Sequence, residues 1–369
     1  MVSKIVFGGN ALKKQMTIYE VAKKSGVSVT TVSRVLNDSP LVSEKTRQKV
    51  LDVVKTNQYR PNAIARAMTS KQTRTIGVIL PDITNPYFSS LFMEIERFTT
   101  MYEYSTVLCN TMYVGSSLQQ GEGGSDVIAE SKYIEMLLEK RVEGIIIIGG
   151  RLDCEVVPPE YISMLNDLNR RIPVVLIAQA VPGCECRFLN LNLGGGVSLL
   201  VQHLVALGNR RIGFVGGEVG VRQTSERLKA YRETMQSLNM EIDDELVALT
   251  DYYPQDGYKA MQQLLFRNRP DAVIAINDRV ALGAIRAIKD AGLQVPEDIA
   301  VVSCDKFADG DYYVPRLTTL EQQHEYVGRL AILMLMSAIS GTGDSVYIDH
   351  NPQMVVRESC GAKLGARRK

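Results

Sequence analysis

The stretch that decides the fold of the N-terminal segment is MTIYEVAKKSGVSVTTVSRVLN, residues 16–37. Its apolar residues recur at helical spacing in two short stripes. Thr17 and Glu20 have the spacing of a capping box, so a helix is predicted to begin at Ile18. Gly26 suits the left-handed residue that ends such a helix. The stretch therefore begins with a helix of about two turns.

A second helix is predicted over residues 29–36, where Ser28 can cap the first turn. Two short helices joined by a turn that contains glycine indicate a helix-turn-helix. A third helix, over about 43–56, would close the small core. Pro61 then ends helical structure at the preceding residue, and a last short helix is predicted over 63–68.

The charge distribution separates this segment from the rest of the chain. The 369 residues carry a formal net charge of +1. Residues 1–74 hold 14 Lys and Arg but 4 Asp and Glu, a net +10, and the remaining 295 residues carry a net −9. A basic N-terminal block on an acidic body is the pattern expected when one small domain contacts nucleic acid and the other part stays soluble.

Beyond residue 70, apolar strand-like runs alternate with amphipathic helical stretches. The strands are predicted over residues 76–80, 107–109, 144–148, 174–177, 211–215, 272–276 and 299–303. The helices are predicted over residues 88–98, 132–141, 197–207, 227–238, 257–265 and 281–291. This alternation predicts an α/β fold with parallel sheets covered on both faces, and the number of units predicts two doubly wound subdomains. Residues 114–126, rich in Gly, Ser and Gln, are expected to form a surface loop.

These patterns predict a division of the chain into four parts, two of them folded domains. The parts are a disordered N-terminal extension (1–15), the helix-turn-helix domain (16–60), a short helix with a linker (61–74) and the α/β region (75–365).

The second helix carries the residues best suited to read DNA. Burying its apolar residues turns Val29, Thr30, Ser33 and Arg34 outward. Arg34 can bond guanine O6 and N7 at once, which gives about 1–3 kcal/mol of discrimination, and Val29 and the Thr30 methyl suit a thymine methyl. Candidate phosphate contacts are Thr17, Ser28, Thr31, Ser33, Lys45, Arg47 and Lys49. For each hydroxyl, a local helix cap is an equal alternative.

Several motifs along the chain resemble those of a known family. In the N-terminal segment they are residues 17–22, 26–28, 31–37 and 59–66. In the body they are residues 77–78, 82, 85–87, 144–146, 203–208, 277–283, 315–319 and 356–360. Together they resemble the LacI/GalR (lactose repressor/galactose repressor) family of bacterial transcriptional regulators, over nearly the whole chain from Met16.

The resemblance implies a homodimer that binds double-stranded operator DNA. Residues 62–68 would form a hinge helix on the operator, and Met68 would insert into a minor-groove step where most relatives have Leu. The DNA-binding residues predicted by the helix pattern and the resemblance are Thr17, Tyr19, Ser28, Val29, Thr30, Thr31, Ser33, Arg34, Asn37, Tyr59, Asn62, Ala65 and Met68.

The resemblance also implies that the body is like the periplasmic sugar-binding proteins, in which two lobes close on a ligand near the carboxyl ends of the strands. It thus makes residues 61–74 a hinge helix and linker and residues 75–365 a ligand-binding and dimerisation domain. Within that domain it implies an N-subdomain at about 75–178 and 308–335 and a C-subdomain at about 179–305 and 340–365. The implied pocket residues are Asp82, Asn85, Tyr87, Arg227, Asn277 and Asp305, and Tyr252 is a candidate second ring. Arg, Asn and Asp supply paired donors and acceptors for vicinal hydroxyls, and an aromatic ring stacks on a sugar face. An alternative for Asn277 and Asp278 is a helix N-cap pair.

Three departures from the family pattern bear on the ligand. They are Ala178-Gln179 where relatives have an acidic or amide residue, Asn192-Leu193 where Asp-Asn is usual, and Cys304-Asp305-Lys306 where an aromatic and two acids are common. One acceptor is lost and one cation is added beside the cleft. A phosphorylated or acidic ligand is therefore an alternative to a neutral sugar.

The function expected from these features is that of a ligand-responsive repressor of carbohydrate-utilisation genes. Effector binding would close the lobes and melt the hinge helices, although a corepressor of the opposite sign fits the sequence as well. The alternatives are a global carbon-catabolite regulator with a phosphocarrier protein as corepressor, and a nucleobase or sugar-phosphate effector. A secreted binding protein is disfavoured by the DNA-reading helix.

Enzymatic, metal-binding and membrane functions are not expected. The glycines Gly216, Gly217 and Gly220 follow a strand but lack the order of a dinucleotide fingerprint, so no cofactor is predicted. Cys184 and Cys186 lack a partner pair with metal-ligand spacing. No apolar run in the sequence, including that of residues 145–148, approaches the ~18 residues that span a bilayer, and a cytoplasmic protein is expected.

Overall fold

The computed structural model describes residues 16–36, 38–59, 72–111, 124–342 and 350–362. The chain divides into two compact units, residues 1–73 and residues 74–369. Each unit is described by itself.

The N-terminal unit is a bundle of three helices, α1 (Ile18–Ser25), α2 (Val29–Leu36) and α3 (Glu44–Thr56). The capping box that the sequence predicts is present, since the Thr17 hydroxyl accepts from the Glu20 amide and the Glu20 carboxylate accepts from the Thr17 amide at 2.7 Å. Gly26 ends α1 in the left-handed region at φ 62°. The buried core residues are Val21, Ala22, Val32, Val35, Val50 and Tyr59.

Replacing Thr17 with alanine is expected to destabilise this unit by about 1 kcal/mol, because it removes one member of the reciprocal cap of α1. Thermal unfolding of the full chain, followed at a transition assigned to the N-terminal unit, measures the effect. Thr17→Ser keeps a hydroxyl for the cap and should retain most of the stability. Equal unfolding temperatures for Thr17→Ala and the parent chain would contradict the assignment.

The first parallel sheet lies in residues 74–191. Its strands have the order β2 (Ser105–Asn110), β1 (Thr75–Leu80), β3 (Gly144–Ile148), β4 (Val174–Ile177) and β5 (Arg187–Phe188). The helices that pack with it are α4 (Pro86–Met101), α5 (Gly124–Glu139), α6 (Pro159–Arg171) and α11 (His324–Ser340). Successive strand residues alternate between the two faces, so Val78 packs with α4 and α11 whereas Ile79 packs with α5 and α6.

The second parallel sheet has four strands. Their order is β7 (Val247–Ala248), β6 (Ile212–Val215), β8 (Ala272–Ala275) and β9 (Ala300–Ser303). The associated helices are α7 (Leu193–Ala206), α8 (Arg222–Ser237), α9 (Pro254–Arg267) and α10 (Asp278–Asp290). A separate antiparallel pair joins β10 (Thr319–Glu321) to β11 (Gln353–Val355).

The predicted fold class is confirmed: a helical N-terminal domain is followed by an α/β region with two parallel sheets. The subdomain limits need two corrections. Residues 187–188 pair with β4 and so belong to the first subdomain, not the second. Leu317 and Leu320 lie in the core of the second subdomain, so the second segment of the first subdomain begins with α11 rather than at residue 308.

Some elements differ from the sequence predictions. Helices α6 and α11 have no counterpart among the predicted helices, and α5 begins at Gly124, inside the loop expected over 114–126. The earlier part of that loop and the predicted hinge helix lie outside the described residues. Among the helices that the structure does describe, none is both long and apolar enough to cross a membrane.

Candidate functional site

A cleft in residues 74–369 lies where strands of both sheets end. It encloses about 830 Å³ of space, including the part open to solvent. The lining residues follow the carboxyl ends of β1, β3, β6, β7, β8 and β9, which is where ligands bind in open α/β sheets. These residues are Pro81, Asp82, Asn85, Tyr87, Phe88, Gly150, Asp153, Cys154, Glu218, Val221, Gln223, Arg227, Asp251, Tyr252, Tyr253, Asn277 and Asp305.

The structure brings all seven predicted pocket residues to this one cleft. They are Asp82, Asn85, Tyr87, Arg227, Tyr252, Asn277 and Asp305. They come from separate parts of the chain, which fold together because the parallel strands that precede most of them end at the same level of the sheets.

Arg227 and Asp305 form a buried bidentate ion pair at the cleft wall. The guanidinium Nη2 lies 2.7 Å from Asp305 Oδ1, and Nη1 lies 3.0 Å from Oδ2. Arg227 Nη1 also donates to the Ile276 carbonyl at 2.8 Å. Gln322 Nε2 donates to Asp305 Oδ1 at 2.9 Å. The charge of the arginine is therefore balanced within the protein.

The two asparagines of the cleft have structural roles as well. Asn85 caps α4 by accepting from the Tyr87 amide at 3.1 Å, and Asn277 caps α10 by accepting from the Val280 amide at 2.8 Å. The capping alternative for Asn277 is thus present in the structure. The Asn277 amide also donates to the Tyr252 carbonyl at 3.1 Å, so both ends of its side-chain amide are bonded within the protein.

Aromatic rings form much of the apolar surface. Tyr87 meets Phe88 edge to face, with ring centroids 5.2 Å apart. The Tyr252 hydroxyl is 2.8 Å from the Thr224 hydroxyl, and burial raises the pKa of Tyr252 to about 12. The Tyr253 hydroxyl donates to Asp82 Oδ2 at 3.4 Å. Such rings suit the apolar face of a sugar-like ligand.

Three acidic residues that the sequence analysis did not single out also line the cleft: Asp153, Glu218 and Asp251. Burial raises the pKa of Asp153 to about 7. Burial and the nearby charge of Asp251 raise the pKa of Glu218 to about 7. Each follows the end of a predicted or short strand within a few residues, and that position is the signal that could have identified them.

Two of the departures from the family pattern, at Ala178-Gln179 and at Lys306, do not line the main cleft. Ala178 and Gln179 line a smaller neighbouring cavity, and Gln179 Nε2 donates to the Leu191 carbonyl at 2.6 Å. Lys306 forms an ion pair with Glu321 and does not line the main cleft. The cation that favoured an acidic or phosphorylated ligand is therefore paired away from the cleft, and Lys306 gives no support to that alternative.

The glycine-rich turn after β6 is explained by backbone geometry. Gly216 and Gly217 have φ of +84° and +86°, and a Cβ at Gly217 would lie 2.8 Å from the Thr224 side chain. Positions 216 and 217 therefore require glycine for the tight turn that leads to Glu218.

Contacts between the two subdomains run along one side of the cleft. The Glu155 amide donates to the Gly220 carbonyl at 3.0 Å, and Cys154 and Val221 form an isolated antiparallel bridge. Gln223 Nε2 donates to Asp153 Oδ2 at 3.2 Å. The cleft is thus crossed by backbone and side-chain hydrogen bonds next to its acidic groups.

In the N-terminal unit, α2 presents the predicted reading surface. Val32 and Val35 are buried, whereas Thr30 and Arg34 are exposed and Val29 and Ser33 are partly buried. Tyr19 on α1 is 72% exposed. The helix therefore shows its polar side chains to solvent and its valines to the core.

The predicted hydroxyl contacts are held by local hydrogen bonds. Thr17 caps α1, and the Ser28 hydroxyl accepts from the Thr31 amide at 3.1 Å and lies 2.8 Å from the Thr31 hydroxyl. The local-cap alternative thus describes their geometry. Ser28 remains exposed, so the same hydroxyl is accessible from outside.

Two other residues predicted to contact DNA make contacts within the N-terminal unit itself. Tyr59 lies in the core at 9% exposure, because its ring packs against the helices. Arg47 is held by an ion pair to Asp38 and donates to the Ser39 carbonyl at 2.7 Å, so it stabilises the loop before α3. The predicted contacts at Asn37, Asn62, Ala65 and Met68 lie outside the described residues.

A three-helix unit with an exposed reading helix, followed by an α/β region with a cleft between two sheets, defines a class of DNA-binding regulator with a ligand-binding domain. The family described as bacterial regulatory proteins, lacI family, matches residues 17–62, and the periplasmic binding protein-like domain matches residues 201–360.

Individual relatives agree over most of the chain. The transcriptional repressor PurR of Serratia proteamaculans is 33% identical over 93% of this chain and 96% of its own. The transcriptional regulator DegA of Bacillus subtilis is 33% identical over 85% of this chain and 88% of its own. The lac repressor dimer bound to operator and the anti-inducer ONPF superposes with a TM-score of 0.82, at 27% identity over 94% and 99% of the two chains.

The chain belongs to the lacI family of bacterial regulatory proteins. It is a ligand-responsive, DNA-binding regulator of transcription.

Proposed function

We propose that this protein is a dimeric repressor of carbohydrate-utilisation genes that binds a pseudo-palindromic operator through α2 and takes a polyhydroxylated effector in the cleft. The observation that carries the proposal is the cleft itself, where amide, carboxylate and aromatic groups converge at the strand ends. The proposed effector contacts are Asp82, Asn85, Tyr87, Arg227, Tyr252, Asn277 and Asp305.

The DNA-binding part of the proposal rests on the N-terminal unit. The exposed Arg34 and Thr30 lie on one side of α2, opposite the buried Val32 and Val35. The lac repressor structure contains a dimer on its operator, and its overall similarity to this chain supports the same arrangement here. A dimer places two reading helices on two half-sites, which requires a pseudo-palindrome.

The proposed organisation keeps the predicted domains with the corrected limits. Residues 16–60 form the DNA-binding domain, 61–74 the hinge and linker, and the ligand-binding domain follows. We assign no catalytic step to the cleft, because the relatives that this chain resembles are regulators of transcription.

An operator-binding assay tests this function. DNA fragments selected in vitro from a random pool by the full chain should share a pseudo-palindromic sequence. Fluorescence anisotropy should show tight binding that weakens steeply with salt, because basic residues displace counterions from phosphates. A panel of sugars and amino sugars should contain a compound that changes the operator affinity by about 5–150-fold, the usual range of allosteric coupling. Selection of no common sequence would overturn the DNA-binding assignment, and unchanged affinity with every compound would overturn the assigned class of effector.

A further inference from the structure

We propose that the cleft selects a polyhydroxylated ligand that carries a protonated amine, and that it excludes phosphorylated ligands. This inference rests on the proposed function, in which the cleft holds the effector. It goes further by assigning the ligand's charge, and it reverses the acidic alternative that Lys306 had favoured in the sequence.

The first step is the balance of charge on the cleft wall. Five of the lining residues are acidic: Asp82, Asp153, Glu218, Asp251 and Asp305. Among the lining residues that the structure describes, Arg227 is the one Arg or Lys. Because both of its terminal nitrogens are bonded to Asp305, that pair contributes no net charge. The remaining four acidic residues line the same cleft.

The second step is that the nearby arginines Arg222 and Arg279 do not line the cleft. The Arg222 guanidinium donates to the carbonyls of Cys154 at 3.4 Å and Glu155 at 3.3 Å. The Arg279 guanidinium lies over the Tyr253 ring, 5.1 Å from its centroid, and its buried Nη1 has no hydrogen-bond partner among the described residues. Neither arginine lines the cleft, so a phosphate there would meet carboxyl groups on a lining surface whose one described cation, Arg227, is already paired with Asp305, which disfavours an anionic ligand.

The third step is the state of the two half-buried carboxyl residues, Asp153 and Glu218. Glu218 Oε2 is buried and has no hydrogen-bond partner among the described residues. Asp153, from the other subdomain, accepts one hydrogen bond from Gln223. Burial raises the pKa of both carboxyls to about 7, so removing them from water disfavours their charged forms. A cation bound between the subdomains would restore favourable interactions to both.

The fourth step concerns the non-acidic part of the cleft. Asn85 and Asn277 are held as helix caps, and the rings of Tyr87 and Tyr252 line the same space. Amides and rings of this kind suit hydroxyls and the apolar face of a pyranose. A ligand that combines such a ring with an amine, as an amino sugar does, matches both parts of the wall.

The experiment compares matched sets of compounds by calorimetry on the full chain. Each set contains an amino sugar, the parent sugar and its 6-phosphate: the glucose, galactose and mannose series. In at least one set the amine should bind about tenfold or more tightly than the other two members, because a hydrogen bond to a charged group contributes about 1.5–3 kcal/mol. The proposal is overturned if no amine binds, or if the tightest ligand among all the compounds is a parent sugar or a phosphate.

The pH dependence gives a second readout. The amine binds the ionised carboxylates, and those carboxyls have raised pKa values of about 7 in the free protein. Affinity for the amine should therefore increase as the pH rises from about 6 to about 7, with release of protons on binding, and should decrease again above about 8, because the amine of the sugar then loses its own proton. An affinity for the amine that falls between about pH 6 and about pH 7 contradicts the assigned role of the carboxyls.

Glu218→Gln is the decisive variant, because it removes the charge and keeps the shape. It should weaken amine binding by about tenfold and flatten its pH dependence, while a parent sugar binds as before. Glu233→Gln on the exposed side of α8 is the matched control and should change neither. Equal amine affinity in both variants removes Glu218 from the site.

Measurements of operator binding distinguish a failure of the proposed function from a failure of the amine preference. If a parent sugar binds and changes operator affinity, the proposed function stands and the preference for an amine is wrong. If the chain selects no operator at all, the proposed function fails, whatever the calorimetry shows.

Discussion

Arg227→Ala is expected to lower the free energy of unfolding of the ligand-binding unit by about 3–5 kcal/mol, because it leaves a buried charge without its partner. Arg227 is 2% exposed and Asp305 is 7% exposed. The substitution removes two hydrogen bonds to Asp305 and one to the Ile276 carbonyl. Gln322 would still donate to Asp305, but an amide cannot balance the charge.

Urea unfolding of the full chain measures this effect. The matched control is Arg232→Ala on the same helix, where the guanidinium pairs with Asp244 at 2.7 Å in an exposed position. An exposed pair contributes about 0–1 kcal/mol, so the control should unfold almost as the parent does. The double variant Arg227→Ala/Asp305→Ala should recover part of the loss, because no buried carboxylate is then left unpaired. A loss for Arg227→Ala as small as that of the control would contradict the ion-pair assignment.

The same pair shows what sequence reasoning could and could not reach. The family motifs predict that Arg227 and Asp305 belong to the cleft, and both line it. The pattern does not show that the two residues, 78 positions apart, neutralise each other. Their pairing depends on how α8 packs beside the end of β9, which is a tertiary property. A prediction based only on contact between Arg227 and the ligand would not include the effect of Arg227→Ala on the stability of the fold.

Local signals were reliable where one short stretch determines the structure. Thr17, Glu20 and Gly26 set the limits of α1 through contacts within a single turn, and the structure has those limits. The β-rich runs at 144–148 and 174–177 match strands residue for residue because they are buried on both faces. Such elements need no information from distant parts of the chain.

Elements without a distinct pattern of their own were missed. Strand β5 has two residues, and it exists because Arg187 and Phe188 pair with β4. Asp153 and Asp251 were overlooked because an acidic residue in a loop is usually a solvated one, and the folding of two subdomains brings them to one cleft.

For Lys306, the sequence predicts a contact with the cleft that the structure does not have. Its position next to Asp305 in the sequence indicates a cation beside the cleft, but its side chain pairs with Glu321, 15 positions away. That partner lies on β10, and only the packing of this strand beside the end of β9 brings the two charges together. The sign of a charge can therefore be read from the sequence, whereas the space that the charge faces cannot.

Arg34→Ala should weaken operator binding by about 1–3 kcal/mol and relax the preference at one base pair in each half-site. Arg34 is exposed on α2, on the side of the helix opposite the buried Val32 and Val35. Its side chain is therefore free of the core, and its loss should leave the stability of the unit unchanged. Arginine donates two parallel hydrogen bonds to guanine, which alanine cannot replace.

Anisotropy with the selected operator and its single-base variants measures both effects. Lys45→Ala on α3 is the matched control, because Lys45 is exposed and would contact phosphate. It should weaken binding to all sequences equally and reduce the salt dependence by about one ion. Arg34→Ala should instead weaken binding to the operator far more than to the variant that lacks the guanine. Since the two substitutions each remove one positive charge, a uniform loss from both would mean that Arg34 contacts phosphate, and α2 would not read bases through this residue.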